Sequence, residues 1–318
     1  MIIEIYGANV PQAYTEALWK MRTYGEKENS RGGEVIAIPH PVVLTIERPW
    51  ERVLTDPVRD ANPFFHCMEF VWMMAGSNDA VWLSQFNKRM IEYADNKILR
   101  GAYGWRWTNP SPQISDTIRL LQTSPETRQA VLTMWDPVFD GYRARTSDRP
   151  CNTHIYFRKD KDNRLNMTVC NRSNDLIWGM MGANAVHMTM LHELISRAVG
   201  MKQGTYHVFT NNLHIYTGMP KFEELYTSTE CYDTYEAFQS FPLLQYGEDW
   251  ENFIIDCKTL LRLVRAGGYK FLTTWMNNVG APIHDAYVDK KNRHYYIEKI
   301  AADDWRIACE EWAARRNN

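Results

Sequence analysis

The pattern of hydrophobic and polar residues divides the chain into interleaved strands and helices. Short runs rich in β-branched and aromatic residues predict strands, and longer runs with apolar residues three or four positions apart predict helices. The predicted strands are residues 2–5, pieces of 34–48, 130–135, 153–158, 165–170 and 205–209. The predicted helices are residues 12–24, 63–75, 116–122, 183–199, 250–266 and 297–314.

These elements follow one another without a regular strand–helix–strand rhythm, which favours an α+β fold over a doubly wound parallel sheet. The chain also lacks the GxGxxG and Walker sequences that hold nucleotide phosphates. The polar loop at residues 143–150 is too short to separate domains. We therefore predict one domain over residues 1–318, with a large mixed or antiparallel sheet flanked by helices.

Composition narrows the class of protein. The 318 residues are 45% hydrophobic and 23% charged, as in ordinary globular proteins. A net charge of -2 lacks the basic bias of nucleic-acid binding, and no apolar run approaches the length of a membrane span. The six cysteines form no CxxC pair, which favours reduced thiols over disulfides or zinc. Because no signal-peptide pattern begins the chain, we expect a cytoplasmic protein with no metal, nucleic-acid or membrane partner.

Four polar clusters interrupt otherwise apolar segments. Glu69 lies inside FFHCMEFVWMM, where a buried carboxylate is costly unless it is paired with a cation or used in chemistry. The other clusters are residues 149–152 (RPCN), 171–175 (NRSND) and 211–216 (NNLHIY), each next to a predicted strand. Taken singly, each has an ordinary structural interpretation: a packed thiol, a capped turn, a core histidine, or a carboxylate paired with an arginine.

Taken together and in this order, the clusters resemble the motifs of the thymidylate synthase family over most of the chain. The matching residues in the second half are Pro150-Cys151, Arg172-Ser173-Asn174-Asp175 with Gly179, Asn184, and His214-Ile215-Tyr216. The matching residues in the first half are Ser30-Arg31-Gly32, Glu69 with Trp72 and Gly76, Tyr103-Gly104 with Trp107, and Thr127-Arg128. The resemblance implies the fold of that family.

The resemblance also implies transfer of a one-carbon unit to C5 of a pyrimidine nucleoside monophosphate, with 5,10-methylenetetrahydrofolate as the donor. C5 becomes nucleophilic only after a thiolate adds to C6, and Cys151 is the implied nucleophile. A cysteine with an ordinary pKa of about 8.5 needs nearby positive charge to form that thiolate. We expect Arg172 and the phosphate-binding arginines to supply this field.

The remaining roles come from the resemblance alone. Glu69 would relay protons through ordered water, Tyr103 would assist removal of the C5 proton, and Asp175 would orient the pterin of the folate. The implied phosphate ligands are Arg31, Arg172, Ser173 and Arg128 of a second copy, which implies a homodimer. The other implied contacts are Asn171, His214 and Tyr216 for the nucleotide, and Trp72 and Gly179 for the folate.

The identity of the base depends on one position. An asparagine complements the N3–H and O4 of uracil, whereas an aspartate complements the amino group of cytosine. Strict counting from Gly179 places Ala183 at the family's base-reading position, and one inserted residue places Asn184 there. We favour Asn184, because an alanine reads neither base. The substrate expectation is dUMP, with dCMP and CMP as alternatives.

Several departures from the methylating members of the family favour a hydroxymethyl product. Asn152 follows the cysteine in place of a histidine, residues 86–93 lack the usual tryptophans, and the sequence ends in EWAARRNN in place of an apolar tail. Missing aromatic walls and a missing lid would let water reach the methylene on C5. Ser173-Asn174-Asp175 also matches the hydroxymethylase branch. Gln129 stands where a second phosphate arginine is common, which weakens the expectation for phosphate and ribose recognition.

Three rival functions remain open at this point. Methylation of dUMP to dTMP is the first. A non-catalytic nucleotide-binding regulator is the second, although binding alone requires no nucleophile. The third is a cysteine hydrolase that pairs Cys151 with His214, for which no oxyanion motif is visible in the sequence.

Overall fold

The structure is a computed structural model that describes residues 1–141, 146, 148–229, 233–263 and 266–316. Part of the loop predicted at residues 143–150 lies outside these ranges, as does Cys231. The strands are β1 (Ile3–Gly7), β2 (Glu26–Ser30), β3 (Gly33–Ile38), β4 (Val42–Ile46), β5 (Val131–Thr133), β6 (Asn152–Lys159), β7 (Arg164–Asn171), β8 (Asn174–Asp175), β9 (Lys202–Thr210) and β10 (Leu213–Tyr216).

The helices are α1 (Val10–Tyr24), α2 (Pro63–Met74), α3 (Ala80–Ser84), α4 (Tyr103–Thr108), α5 (Gln113–Thr123), α6 (Asn184–Ala198), α7 (Phe222–Thr227), α8 (Trp250–Leu260), α9 (Ala281–Val288), α10 (Arg293–Ile297) and α11 (Asp303–Ala314). Wider π-helical turns at Leu176–Ala183 and Met276–Gly280 lead into α6 and α9. Short 3-10 turns lie at Lys88–Ile91, Thr234–Glu236 and Lys290–Asn292. Within the described ranges, no helix is both long and apolar enough to span a membrane.

The strands form two sheets that share three stretches of chain. The larger sheet has the order β1-β4-β9-β7-β6-β5 and mixes parallel with antiparallel pairs, and the smaller has the order β2-β3-β10-β8. Three pairs of strands are consecutive along the chain: β3 with β4, β9 with β10, and β7 with β8. In each pair one strand belongs to each sheet, and β4-β9-β7 and β3-β10-β8 are neighbours in the same order. The bends between them lie at residues 39–41, 211–212 and 172–173, so two of the predicted polar clusters meet at this junction.

The two faces of the larger sheet differ in character. One row across the buried face is entirely apolar: Ile5, Leu44, Val208, Val169, Ile155 and Leu132. The adjacent row on the other face contains Tyr6, Thr45, His207, Thr168, Tyr156 and Val131, and its three apolar or aromatic members are exposed. The sheet packs against helices that include α6 through β7 and β9, and α2 packs on α6. The buried residues form one cluster from Ile3 to Ala313, which supports the single-domain prediction.

The predicted α+β fold with a large mixed sheet is confirmed. The predicted helix at 250–266 ends earlier, at Leu260, and the one at 297–314 begins only at Asp303, after the chain turns at residues 298–302. Strand β2 was missed because its sequence, EKENS, is polar and exposed throughout. Strands β8 and β10 were missed because they are short and lie within polar clusters.

Candidate functional site

A cavity of about 930 Å³ opens at the junction of the two sheets. Its walls come from the β2–β3 hairpin, from β10 and the residues after it, and from the bends at 172–173 and 212. The π-helical turn, the segment before α4 and the loop between β5 and β6 complete them. The charged and aromatic residues in the lining are Glu28, Arg31, Glu34, Arg89, Tyr93, Trp135, Arg149, Arg172, Trp178, His214 and Tyr216. Four arginines against two glutamates make the cavity positively charged, which suits an anionic ligand.

Cys151 lies immediately before β6, against the bend at residues 172–173. The guanidinium of Arg172 lies 3.6 Å from the cysteine Sγ. Its Nε donates to the carbonyl of Pro150 and its Nη2 to that of Arg149, both at 3.0 Å. The backbone N–H of Arg172 donates to the carbonyl of Cys151 at 3.0 Å. Arg172 is therefore held against the Cys151 thiol by hydrogen bonds to the backbone carbonyls of Pro150, Arg149 and Cys151.

The electrostatics of the thiol combine opposing effects. Burial raises the pKa of Cys151, while the charges of Arg172 and Arg31 lower it and that of Asp148 raises it. Burial dominates, so the pKa of Cys151 lies above its ordinary value in the unliganded protein. The predicted arginine field is present, but it offsets only part of the effect of burial.

Arg31 occupies the tip of the β2–β3 hairpin. The strands pair through Ser30 and Gly33, which leaves Arg31-Gly32 as a two-residue turn, and Gly33 has a φ of +118° that favours glycine. A Cβ on Gly32 would lie 2.9 Å from the hydroxyl of Tyr216. The glycine therefore permits this tyrosine to approach the arginine turn.

His214 and Asp175 lie side by side because β10 and β8 pair in parallel at these residues. The His214 Nδ1 lies 2.8 Å from the Asn212 side-chain oxygen, an arrangement in which Nδ1–H donates and Nε2 is left for a ligand. The imidazole packs edge-on against Tyr216, with 5.2 Å between ring centroids. Burial lowers the pKa of His214.

Only one of the two oxygens of the Asp175 carboxylate accepts a hydrogen bond among the described residues. Its Oδ1 accepts from the backbone N–H of Trp178 at 2.5 Å, whereas its buried Oδ2 has no hydrogen-bond partner among the described residues. Burial raises the pKa of Asp175, opposed by the nearby His214 and Arg59. A buried acceptor without a partner is costly, so this oxygen is suited to receive a donor from a ligand.

The segment before α6 is relevant to which residue, Ala183 or Asn184, occupies the base-reading position. Residues Leu176–Ala183 form a π-helical turn with non-helical backbone angles at Met181 and Gly182, and such a turn accommodates an extra residue. The side-chain Nδ2 of Asn184 donates to Asn174 Oδ1 at 3.2 Å. A wider turn of this kind has room for an inserted residue, and Asn184 as the base-reading residue stays a prediction.

Glu69 lies on the central helix α2, with its side chain 19% exposed. Burial raises the pKa of Glu69 to about 8. Its Oε2 lies 3.4 Å from His187 Nε2, but burial lowers the pKa of His187 to about 3. Both groups are then mainly uncharged at neutral pH, so this contact is not an ion pair. No arginine pairs with Glu69 within the described ranges.

Tyr103 begins α4, and the glycine after it explains its position. A Cβ on Gly104 would lie 1.9 Å from the carbonyl oxygen of Met73, so only glycine allows α4 to pack this closely on α2. The Tyr103 hydroxyl accepts from the backbone N–H of Asn152 at 3.4 Å. Burial and the neighbouring Cys151 raise the pKa of Tyr103, which keeps the phenol protonated.

Four other predicted site residues lie outside the cavity lining, as do Cys151, Glu69, Tyr103, Asp175 and Asn184. Trp72 is buried and donates its indole N–H to the carbonyl of Asp79 at 3.0 Å. Asn171 is buried and donates to the side-chain oxygen of Asn152, which leaves the Asn152 amide nitrogen and the Asn171 oxygen without partners among the described residues. Arg128 is exposed in the loop between α5 and β5. Gly179 lies close to the Asn174–Asn184 pair.

Sequence reasoning missed an aromatic and basic part of the lining. Trp178 is 37% exposed, lies 5.0 Å from the guanidinium of Arg89 and stacks on Tyr216 at 6.1 Å. Arg89 also donates to the hydroxyl of Tyr93 at 3.1 Å, and Trp135 completes the lining. Residues 86–93 contribute no tryptophan, and the tryptophans in the lining come from other segments. The expected access of water to the site stays a prediction. In LIWGMMG, Trp178 was indistinguishable from a core residue.

Comparisons with known proteins agree with the motifs. The family model for thymidylate synthase matches residues 53–237. A deoxyuridylate hydroxymethyltransferase of Pseudomonas phage M6 is 38% identical over 97% of this chain and 93% of its own length. Proteins with the same description from Bacillus phage SP01 and Delftia phage PhiW-14 are 33% and 31% identical, over 66% and 67% of this chain and 58% and 62% of their own lengths. From its motifs, its fold and these matches, the chain belongs to the thymidylate synthase family.

Proposed function

We propose that this enzyme transfers a one-carbon unit to C5 of dUMP and forms the 5-hydroxymethyl nucleotide, with Cys151 as the covalent nucleophile. The observation that carries the proposal is the contact of 3.6 Å between Arg172 and Cys151 at a cavity lined by Arg31, Ser173, His214 and Tyr216. The contact sets a cation against the thiol, beside residues suited to hold an anion and a sugar. Three similar proteins described as deoxyuridylate hydroxymethyltransferases favour the same substrate and product.

Nucleotide binding is the first step. Arg31, Arg172 and Ser173 hold the phosphate through charge-assisted hydrogen bonds, and His214 Nε2 with the Tyr216 hydroxyl holds the sugar. Asn184 reads the uracil edge through one donor and one acceptor. These contacts set C6 of the base against the sulfur, where a fixed geometry lowers the barrier to addition.

Proton transfer accompanies the covalent step. The Cys151 thiol loses its proton and adds to C6, with Arg172 stabilising the thiolate from which the bond forms. Glu69, with a pKa of about 8, is mainly protonated at pH 7 and so holds a proton for the base. Tyr103 remains a phenol and assists removal of the C5 proton through its hydrogen bonds. Expulsion of Cys151 then restores the aromatic base.

The residues present fit a folate. The buried Asp175 Oδ2 has no partner among the described residues and suits the ring N–H groups of a pterin. Trp178 offers a half-exposed ring, and Arg89 a cation beside it, for an aryl group that carries carboxylates. When bound, methylenetetrahydrofolate supplies the one-carbon unit, and addition of water to the resulting methylene on C5 gives the hydroxymethyl group.

The test is the mass of the product after incubation with methylenetetrahydrofolate and, separately, dUMP, dCMP and CMP. The proposal requires that dUMP be consumed, that its product be the hydroxymethyl nucleotide, and that tetrahydrofolate be released. A methyl product with dihydrofolate would instead establish the methylating alternative. Binding of dUMP without turnover, unchanged in Cys151→Ser, would establish the regulator.

The protein acts as a homodimer in this proposal. The exposed row on the larger sheet that includes Tyr6, Tyr156 and Val131 is apolar enough to be covered by a second copy. Arg128 is exposed and outside the cavity of its own chain, so its phosphate contact needs a neighbouring site. We also place the reaction in the cytoplasm, where the reduced Cys151 is maintained.

Subunit mixing tests this assembly. Cys151→Ser and Arg128→Ala are each expected to be nearly inactive. A heterodimer of the two has one site with both an intact Cys151 and an intact Arg128, so random reassociation should restore about a quarter of wild-type activity. A mixture that stays inactive although mass measurements show heterodimers would rule out the contribution of Arg128 in trans.

A further inference from the structure

The side chain of Asn184 is held by a second asparagine. Asn184 Nδ2 donates to Asn174 Oδ1 at 3.2 Å, and Asn174 is 3% exposed in strand β8. The backbone N–H of Asn174 donates to the carbonyl of Asn212 at 2.9 Å, which fixes the strand that carries it. Asn184 is half-buried, so one edge of its amide faces Asn174 while the side chain keeps some access to solvent.

An amide alone does not select between uracil and cytosine. Uracil presents O4 as an acceptor and N3–H as a donor, whereas cytosine presents an amino donor and N3 as an acceptor. An asparagine complements uracil in one orientation, and cytosine after rotation of its amide by 180°. Discrimination by Asn184 therefore requires that one of these two orientations be excluded.

We infer that Asn174 is the residue that makes Asn184 specific for uracil, by holding its amide in the uracil-reading orientation. This rests on the proposed function, in which Asn184 faces the base. One N–H of Asn184 Nδ2 is given to Asn174 and the second remains for O4, while Oδ1 remains for N3–H. If the Asn184 amide rotated by 180°, its Oδ1 would face Asn174 Oδ1, and the buried Asn174 oxygen would lose its hydrogen-bond donor.

The orientation of Asn174 is itself constrained by Gly179. A Cβ on Gly179 would lie 2.4 Å from Asn174 Oδ1 and 3.4 Å from Asn184 Nδ2, so the pair sits directly over this glycine. A carbonyl oxygen suits a place against the Cα–H of a glycine, whereas an NH₂ group there would direct hydrogen at hydrogen. A joint rotation of both amides is therefore disfavoured, and Gly179 acts as a positioning residue for the pair.

The experiment compares Asn174→Ala with Asn174→Asp. Alanine removes the acceptor and frees the Asn184 amide, whereas aspartate keeps an acceptor and cannot become a donor when ionised. Dissociation constants for dUMP and dCMP are measured by calorimetry without folate, and thermal unfolding checks that each variant is folded. We expect the preference for dUMP over dCMP to fall by about tenfold or more in Asn174→Ala, chiefly because dCMP binds more tightly, and to be retained in Asn174→Asp.

Two results would overturn the inference: an unchanged dUMP preference in Asn174→Ala, or a loss of preference in Asn174→Asp equal to that in Asn174→Ala. If Asn174→Ala is unstable, Asn174→Val tests the same loss of the acceptor with more of the side-chain volume retained. These outcomes are separable from failure of the proposed function. A wild-type protein that converts dUMP while its Asn174 variants keep full discrimination loses only the inference, whereas one that neither binds nor converts dUMP loses both.

Discussion

The inner and outer ends of the cavity are built by different means. At the inner end, the Arg172 guanidinium is fixed by the carbonyls of Pro150 and Arg149 and lies on the Cys151 sulfur. At the outer end, Arg89, Tyr93 and Trp178 contact one another only through side chains, and Trp178 is 37% exposed. Backbone contacts hold atoms more closely than ring contacts between exposed side chains do.

This difference corresponds to the work that the proposed function assigns to the two ends. Covalent addition requires a sulfur and a base carbon at a fixed distance, and small displacements there are costly. A folate has to enter, react and leave, which an exposed aromatic surface allows. We therefore expect a variant at the inner end to change the rate of the chemical step, and a variant at the outer end to change the affinity for folate.

The largest effect is expected at the inner end. Replacement of Cys151 by serine removes the nucleophile and should lower kcat by at least about a thousandfold. Dissociation constants for dUMP should change little, because the phosphate and sugar contacts remain. The measurement is turnover together with mass spectrometry of the adduct formed with 5-fluoro-dUMP and methylenetetrahydrofolate. An adduct at another residue would contradict the assignment.

A smaller effect on rate is expected from Glu69→Gln. The wild-type enzyme should lose activity as the pH rises through about 8, the pKa of Glu69, because the proton it supplies is lost. Glutamine does not titrate, so the variant should be slower by about a hundredfold and lack this alkaline decline. Profiles of kcat against pH, measured for the wild-type enzyme and for Glu69→Gln, test this prediction. An identical alkaline limb in the variant would assign that pKa to another group.

A still smaller effect is expected at the outer end. Trp178→Ala should raise the KM for methylenetetrahydrofolate by about tenfold, since a stacking surface contributes on the order of 1 kcal/mol, while kcat and dUMP affinity stay nearly constant. Trp178→Phe is the matched control and should keep most of the affinity. An equal loss in dUMP affinity would break the proposed separation of the two ends.

A last expected effect concerns stability and not activity. Glu69 titrates at about 4.3 when unfolded and at about 8 when folded, so the folded protein binds more protons between these values. The contribution of Glu69 to stability is complete below pH 4 and is lost as the pH rises to 8. Glu69→Gln should therefore gain stability relative to wild type over this range, by a few kcal/mol at most. Denaturant unfolding at pH 5 and pH 8 measures this difference.

The sequence predicted the parts of the fold whose patterns are strong. Helix α2 is apolar almost throughout and carries Glu69 in its interior. Strands β6, β7 and β9 alternate in burial, and the start of β6 and the end of β7 place Cys151 and Arg172. The roles of these residues stay predictions; Arg172 lines the cavity, and its guanidinium lies 3.6 Å from the Cys151 sulfur. Strand β2 could not be predicted from EKENS, because pairing with β3 rather than burial holds it.

The outer end of the cavity was beyond sequence reasoning for a physical reason. Arg89 and Trp178 are far apart along the chain and meet only because a π-helical turn and a 3-10 turn face the same space. The Asn174–Asn184 contact was hidden in the same way, since it joins strand β8 to the start of α6 across that turn. A local sequence pattern describes one helix, strand or turn, whereas each of these contacts joins two separate elements.

The π-helical turn before α6 also has a consequence for how the chain can change in length. Met181 and Gly182 have backbone angles outside the helical range, so the extra residue is taken up there while the residues on either side keep their contacts. A one-residue deletion at this place would be absorbed by return to an ordinary helical pitch. Asp175 and Asn184 could then remain opposite the same ligand, so variation in segment length need not alter which base is read.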